Sequence, residues 1–218
     1  MSDRKPVASF PGYDVLAKRN TLSWNEATRR VIDRRLSLSR EPRFFSAEEW
    51  QTLSALCDRI LPQPKDRPPV PLPAFVDDKL LHDRRDGYRN AALPPQREAW
   101  RRGLAALDAA AQDLHRCRFH ELNSDERDGL IRRMERGTLD GPAWAGMSSA
   151  LFFKQRVIPD IVLAYYSHPT AWSEIGFGGP AGPRGYVRLR LDRRDPWEAV
   201  EASAGEEASA RRANARLG

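Results

Sequence analysis

The chain has 218 residues, 40% of them hydrophobic and 30% charged, with a formal net charge of +6. That length can bury one sizeable core, since domains commonly run about 100–200 residues. No stretch reaches the roughly 18 consecutive apolar residues of a membrane span, and Met1 to Phe10 holds no apolar run of the secretory kind.

The first 43 residues read as an arm. Phe10-Pro11-Gly12-Tyr13 is a turn signal. Ser23-Trp24-Asn25-Glu26 fits a capping box with Ser23 as the cap. Trp24, Ala27, Thr28, Val31 and Ile32 then recur at helical spacing to near Leu36. Arg29-Arg30 is a twin-arginine pair, but Val31-Ile32-Asp33-Arg34-Arg35 follows instead of an apolar stretch.

A helical domain is predicted over residues 44–187. Phe45 and Ser46-Ala47-Glu48-Glu49 make a hydrophobic staple and a second capping box, and Trp50, Leu53, Cys57, Ile60 and Leu61 supply an apolar face. Pro62 stops that helix, and six prolines between 62 and 73 make a semi-rigid crossing. Pro73 suits a first helical turn, Phe75, Val76, Leu80 and Leu81 give an apolar side, and Gly87 is the expected stop. After Pro94-Pro95, Trp100, Leu104, Leu107, Ala111 and Leu114 form the clearest helical stripe in the chain. Asn123 or Ser124 caps a helix bearing Leu130, Ile131 and Met134, which Gly137 closes.

Met147 to Tyr166 is the last long helical pattern. Pro159 lies inside it, which predicts a kink or break near Gln155. After His168-Pro169, residues 172–186 are rich in Gly and Pro with interleaved aromatics, which predicts a loop. Val187 and Leu189 alternate with Arg188 and Arg190, one of few strand-like patterns. Residues 188–218 read as a charged tail, with about 198–218 either a frayed helix or disordered. The fold class expected is therefore all-α: a single compact helical domain with an N-terminal arm and a Gly/Pro-rich aromatic C-terminal loop.

Candidate chemistry is sparse. Cys57 and Cys117 lie far apart among apolar residues and read as free thiols, and no C-x-x-C pair points to zinc or haem. Two thiols are also too few for an Fe–S cluster held by this chain alone. His115 and His120 are five apart, about 140° around a helix, so they share no face. His168, before Pro169, reads as a helix terminator. Glu48-Glu49 and Asp77-Asp78 sit at expected helix starts, where negative charge stabilises the dipole. No catalytic or metal residues are assigned. The basic excess comprises 31 Arg and 5 Lys, spread along the chain and mixed with Asp and Glu, which suits a solvated surface better than a nucleic-acid patch.

Trp144 and Trp172 stand out because both lie in expected loops beside Gly and Pro, where each reads either as a plug over the core or as a contact for a partner. Aromatics and Arg dominate interface anchors, so Trp144, Trp172, Phe177, Arg184 and Tyr186 are the candidate partner-interface residues.

Phe44-Phe45-Ser46-Ala47-Glu48-Glu49-Trp50, followed by Leu53 to Pro62, resembles the opening of the gluconate 2-dehydrogenase subunit 3 family. Gly87-Tyr88-Arg89, Gly103 to Asp108, Phe119 to Asn123, and Trp172 to Phe177 with Gly178-Gly179-Pro180 and Gly185-Tyr186 continue the resemblance in order. It implies a small helical subunit without a redox centre. Such a subunit accompanies a large flavoprotein of the glucose-methanol-choline type, which carries FAD and oxidises sugars, sugar acids or polyols. In many complexes a cytochrome subunit takes the electrons. Many members carry a twin-arginine export signal. The first 40 residues here do not match one, which leads to the expectation of a cytoplasmic complex, or one at the cytoplasmic membrane face. Two other classes compete with this reading: an independent helical enzyme using His120 or His168, and a basic nucleic-acid-binding protein.

Overall fold

A computed structural model describes residues 9–87, 90–180 and 198–216. Among the described residues the chain is all-α, with nine α-helices and no strand. They are α1 (Glu26–Leu36), α2 (Ala47–Ile60), α3 (Leu72–Leu81), α4 (Gln96–His115), α5 (Ser124–Arg136), α6 (Ser149–Phe152), α7 (Ile158–Tyr166), α8 (Pro169–Glu174) and α9 (Glu207–Asn214). No helix among these residues is long and apolar enough to cross a membrane. The strand-like pattern of residues 187–190 lies outside the described residues. By contacts the chain divides into two compact units: residues 38–165, and residues 1–37 together with 166–218. The grouping cuts across the predicted boundaries, because it takes residues 166–187 from the expected domain and joins them to the N-terminal segment.

In the 38–165 unit, local sequence signals set the helix starts. Ser46 accepts from the Glu49 amide while Glu49 accepts from the Ser46 amide, a complete capping box at α2. Asn123 and Glu126 do the same at α5. Gly137, at φ +74°, ends α5 in a left-handed turn whose amide reaches the Met134 carbonyl, and the Thr138 amide bonds Arg133. The segment before α2 is tied down by Asp77 of α3. Asp77 is 2% exposed and accepts from the amides of Arg43, Phe44 and Phe45, each at 3.0 Å. The predicted stop at Gly87 is corrected: α3 ends at Leu81, and Asp83 takes the left-handed conformation.

Helix α4 is the spine of this unit. Trp100, Leu104, Leu107 and Ala111 are buried as expected, but Leu114 is 50% exposed, so the stripe leaves the core one turn early. An edge-to-face aromatic series crosses the spine: Phe44 on Phe45, Phe45 on Trp100, Trp100 on Phe152, and Phe152 on Trp144. The tip of the Phe152 ring reaches the backbone of α4 because Gly103 carries no side chain. A Cβ there would stand 2.3 Å from the Phe152 ring.

Pro159 has its effect where the sequence places it. It offers no amide to the Gln155 carbonyl, and its ring would collide with that carbonyl in a regular helix. The chain widens into a π turn over Phe153–Val157 and then continues as α7.

The terminal unit has its own small core of Tyr13, Val15, Trp24, Ile32, Trp172 and Ala199. One expectation is corrected here. The cap of α1 is Asn25, which accepts from the Thr28 amide, and not Ser23. Of the two readings of the tail, the helical one holds over α9, and Asn214, 4% exposed, bonds the carbonyls of Pro11 and Val200 and the amide of Val200. Gly176, at φ +66°, lies so close to Phe10 that a Cβ would meet its ring at 2.5 Å. Burial, reinforced by Asp14 and Glu198, pushes the Tyr13 hydroxyl up to about 12.

Gly103→Ala must displace Phe152 and is expected to destabilise the chain by about 1–3 kcal/mol, read as a lower urea midpoint. Gly129→Ala on α5 meets nothing within 4 Å. It should raise the midpoint, by about 0.5–1 kcal/mol of helix propensity. Equal midpoints for the two variants would contradict the packing at Gly103.

Candidate functional site

Within the 38–165 unit, three helical elements and one loop bring charged side chains together around the α3–α4 connection. Asp160, near the start of α7, is 3% exposed. It accepts from Trp100 Nε1 at 2.7 Å and from Lys79 Nζ at 2.7 Å. Lys79, on α3, also donates to Asp86 at 2.6 Å. Asp86 accepts in turn from Arg156 at 2.8 Å, and Arg156 is 6% exposed within the π turn. The series therefore runs Trp100, Asp160, Lys79, Asp86, Arg156, from the aromatic core to the loop.

A cleft of about 380 Å³ opens beside its outer end, lined by Asp83, Arg85, Asp86, Gly87, Pro95, Gln96 and Arg156. Gln96 closes one wall by donating to the Arg84 carbonyl at 2.9 Å. Burial alone would raise the Asp86 carboxyl. The hydrogen bonds and charges of Lys79 and Arg156 outweigh it and hold the group below its ordinary value. Lys79 and Arg156 together match Asp86 and Asp160 in charge. Each carboxylate already accepts from a cation, so a general base here would first have to release its partner. The arrangement suits fastening of the loop to the core more than proton transfer.

Sequence reasoning did not single out this network. One signal was available: Asp160 is the lone charge in Ile158-Pro159-Asp160-Ile161-Val162-Leu163-Ala164-Tyr165-Tyr166. An acidic side chain in such a run needs a buried partner.

Of the five residues expected at a partner interface, three are among the described residues. Trp144 closes a 3-10 turn of the 38–165 unit at 3% exposure and packs on Phe152. Trp172 is 4% exposed and belongs to α8, not to a loop. Its Nε1 donates to the Tyr166 carbonyl at 2.6 Å, and Arg35 stacks on its ring. Both indoles therefore leave almost no surface of their own to a partner. Phe177, 39% exposed, leans edge-on against Trp172. Arg184 and Tyr186 lie outside the described residues.

The histidines have local roles. His168 caps α8 by accepting from the Thr170 amide, so it starts a helix rather than ending one. His115 lies 3.5 Å from Glu126, and His82 lies 3.2 Å from Asp78. The His120 Nδ1 is buried without a hydrogen-bond partner. Among the described residues no group of three His, Cys, Asp or Glu could hold a metal ion. Cys57 and Cys117 are free thiols, and burial pushes the Cys57 thiol up.

Two outcomes test the network. Asp160→Ala leaves the Trp100 N–H without its acceptor and Lys79 with one carboxylate, Asp86, in place of two, and should cost about 1–3 kcal/mol, while Asp160→Asn keeps an acceptor and should cost less. Equal losses would show that the neutral acceptor recovers nothing and the charge carries the effect; no loss in Asp160→Asn would show that charge pairing contributes nothing. Acid dependence tests Asp86. Its folded value lies below its unfolded one, so its stabilisation is complete above about pH 4 and is lost as pH falls through the folded value. Asp86→Asn should lower stability at neutral pH and flatten the decline below about pH 4, followed by chemical denaturation across that range.

The family model for gluconate 2-dehydrogenase subunit 3 matches residues 47–179, which run from the first residue of α2 past the end of α8 and include every member of the network. Comparisons with curated proteins and with solved structures give no match. The chain belongs to the gluconate 2-dehydrogenase subunit 3 family.

Proposed function

We propose that the chain is a non-catalytic small subunit that binds and stabilises a large flavoprotein of the glucose-methanol-choline type. In this reading the partner carries the FAD and oxidises a sugar, a sugar acid or a polyol, and a cytochrome subunit can take the electrons. The observation that carries the reading is the family match over residues 47–179, whose description is that of a subunit. Two features of the molecule support it. The buried Asp160 and Arg156 are engaged, through Lys79 and Asp86, in a fastening role. Its helices are also capped and packed by devices that give rigidity, which suits a scaffold.

The test is co-purification from the native source with mass spectrometry of what elutes together. A flavoprotein should co-elute, its yellow absorbance should follow the partner, and deletion of this chain should lower the partner's yield or activity. Separate elution, with partner activity unaffected by the deletion, would overturn the reading. A flavin or haem spectrum in the isolated chain would equally contradict a non-catalytic role.

A further inference from the structure

Away from the cleft, the 38–165 unit presents a second charged surface. The ring of Phe44, 7% exposed, carries the guanidinium of Arg97 at 4.9 Å and that of Arg101 at 4.6 Å. Arg101 is also fixed by donating to the Phe44 carbonyl at 2.8 Å, with Glu49 at 4.0 Å from its Nε. Arg97 is exposed, and among the described residues no carboxylate lies within ion-pair distance of it. An open recess of about 380 Å³ is lined by Phe44, Arg97, Glu98, Arg101 and Arg102. Its one carboxylate, Glu98, is already paired with Arg102. With Glu49 beside Arg101, three cations meet two engaged anions, and Arg97 is the cation with no carboxylate at ion-pair distance among the described residues.

We propose that Arg97 and Arg101, braced on Phe44, form a docking site for a carboxylate of an acidic segment on a partner protein. Stacking on an aromatic ring restrains a guanidinium while leaving its N–H fork free, so less freedom is lost when it closes on a carboxylate. That fork matches a carboxylate in two parallel bonds. The surroundings select against a longer polyanion. Glu49 and Glu98 border the two arginines, and a phosphate backbone needs an unbroken track of cations. Only the identity of the partner rests on the small-subunit reading; the site chemistry does not.

The probe is a fluorescein-labelled oligoglutamate peptide, titrated into the full chain by anisotropy, with single-stranded DNA as competitor. The variant Arg97→Gln/Arg101→Gln is compared with Arg132→Gln/Arg136→Gln on α5, which removes the same charge from exposed positions. Arg97→Gln alone guards against misfolding, because Arg97 makes no backbone hydrogen bond corresponding to that of Arg101. The clamp variant should bind the peptide at least about fivefold more weakly, with the control unchanged and Arg97→Gln between them. Equal loss in clamp and control variants, no loss in either, or no binding by the wild type would overturn the proposal. DNA binding at these residues tighter than peptide binding would overturn it in favour of nucleic acid. The flavoprotein of the co-purification experiment separates the two readings. Retention of that flavoprotein by the clamp variant as well as by the wild type sinks the docking site and leaves the subunit role standing. Failure of the wild type to retain any flavoprotein sinks the subunit role, and the peptide titration still decides the docking site.

Discussion

The 38–165 unit depends on a carboxylate that has almost no access to water. Removing a charge from water costs several kcal/mol unless opposite charge and hydrogen bonds replace the solvent. Asp160 receives both, from Lys79 and from the Trp100 indole. The consequences spread outward from that pair of bonds. The Nε1 bond fixes the orientation of Trp100, whose ring then meets Phe45 on one side and Phe152 on the other. Phe152 can lie there only because Gly103 is bare. In the other direction Lys79 reaches Asp86 and, through it, Arg156. A hydrophobic core alone would bring these helices together. The polar series restricts how they meet, because any other register strands a buried charge.

What could be read in the sequence follows the range of each interaction. The capping boxes at Ser46 and Asn123 close within three residues, and the stripe of α4 repeats within one helix, so both were legible. The disturbance at Pro159 was legible too, since a missing amide is a local fact. The fastening of Lys79, Asp86, Arg156 and Asp160 spans 81 residues between Lys79 and Asp160, and spacing along the chain does not encode such a meeting. The tryptophans show where local signals run out. Neighbouring Gly and Pro left Trp144 and Trp172 open between a plug over the core and a partner contact, and the area of an indole draws both inward, Trp172 from a helix and not from a loop. The tail stayed open between a frayed helix and disorder because it is poor in apolar side chains; one amide, that of Asn214, does much of the holding.

The two charged regions of the larger unit contrast in a way that bears on a supporting role. Around Asp160 the charges are buried, matched and turned toward one another. Around Phe44 the cations outnumber the carboxylates, and Arg97 and Arg101 are exposed. The first kind of arrangement makes a surface rigid, and the second gives it something to bind with. A subunit whose task is to hold another protein needs both, and α4 carries part of each: Trp100 on its inner face and Arg97 and Arg101 on its outer one.

The π turn at Phe153–Val157 shifts the phase of everything after it. A π turn holds one residue more than the α-helical turn it replaces. Each residue in an α-helix advances by about 100° around the axis. Relative to an uninterrupted helix beginning at Ser149, α7 is therefore set back by about that angle. An uninterrupted helix would bring Leu163 within about 40° of the buried Ser149; with the offset Leu163 points to solvent, while Asp160 and Ile161 are buried. Pro159 thus does more than bend the chain: the widened turn that accommodates it turns a leucine outward that an unbroken helix would have carried toward the core.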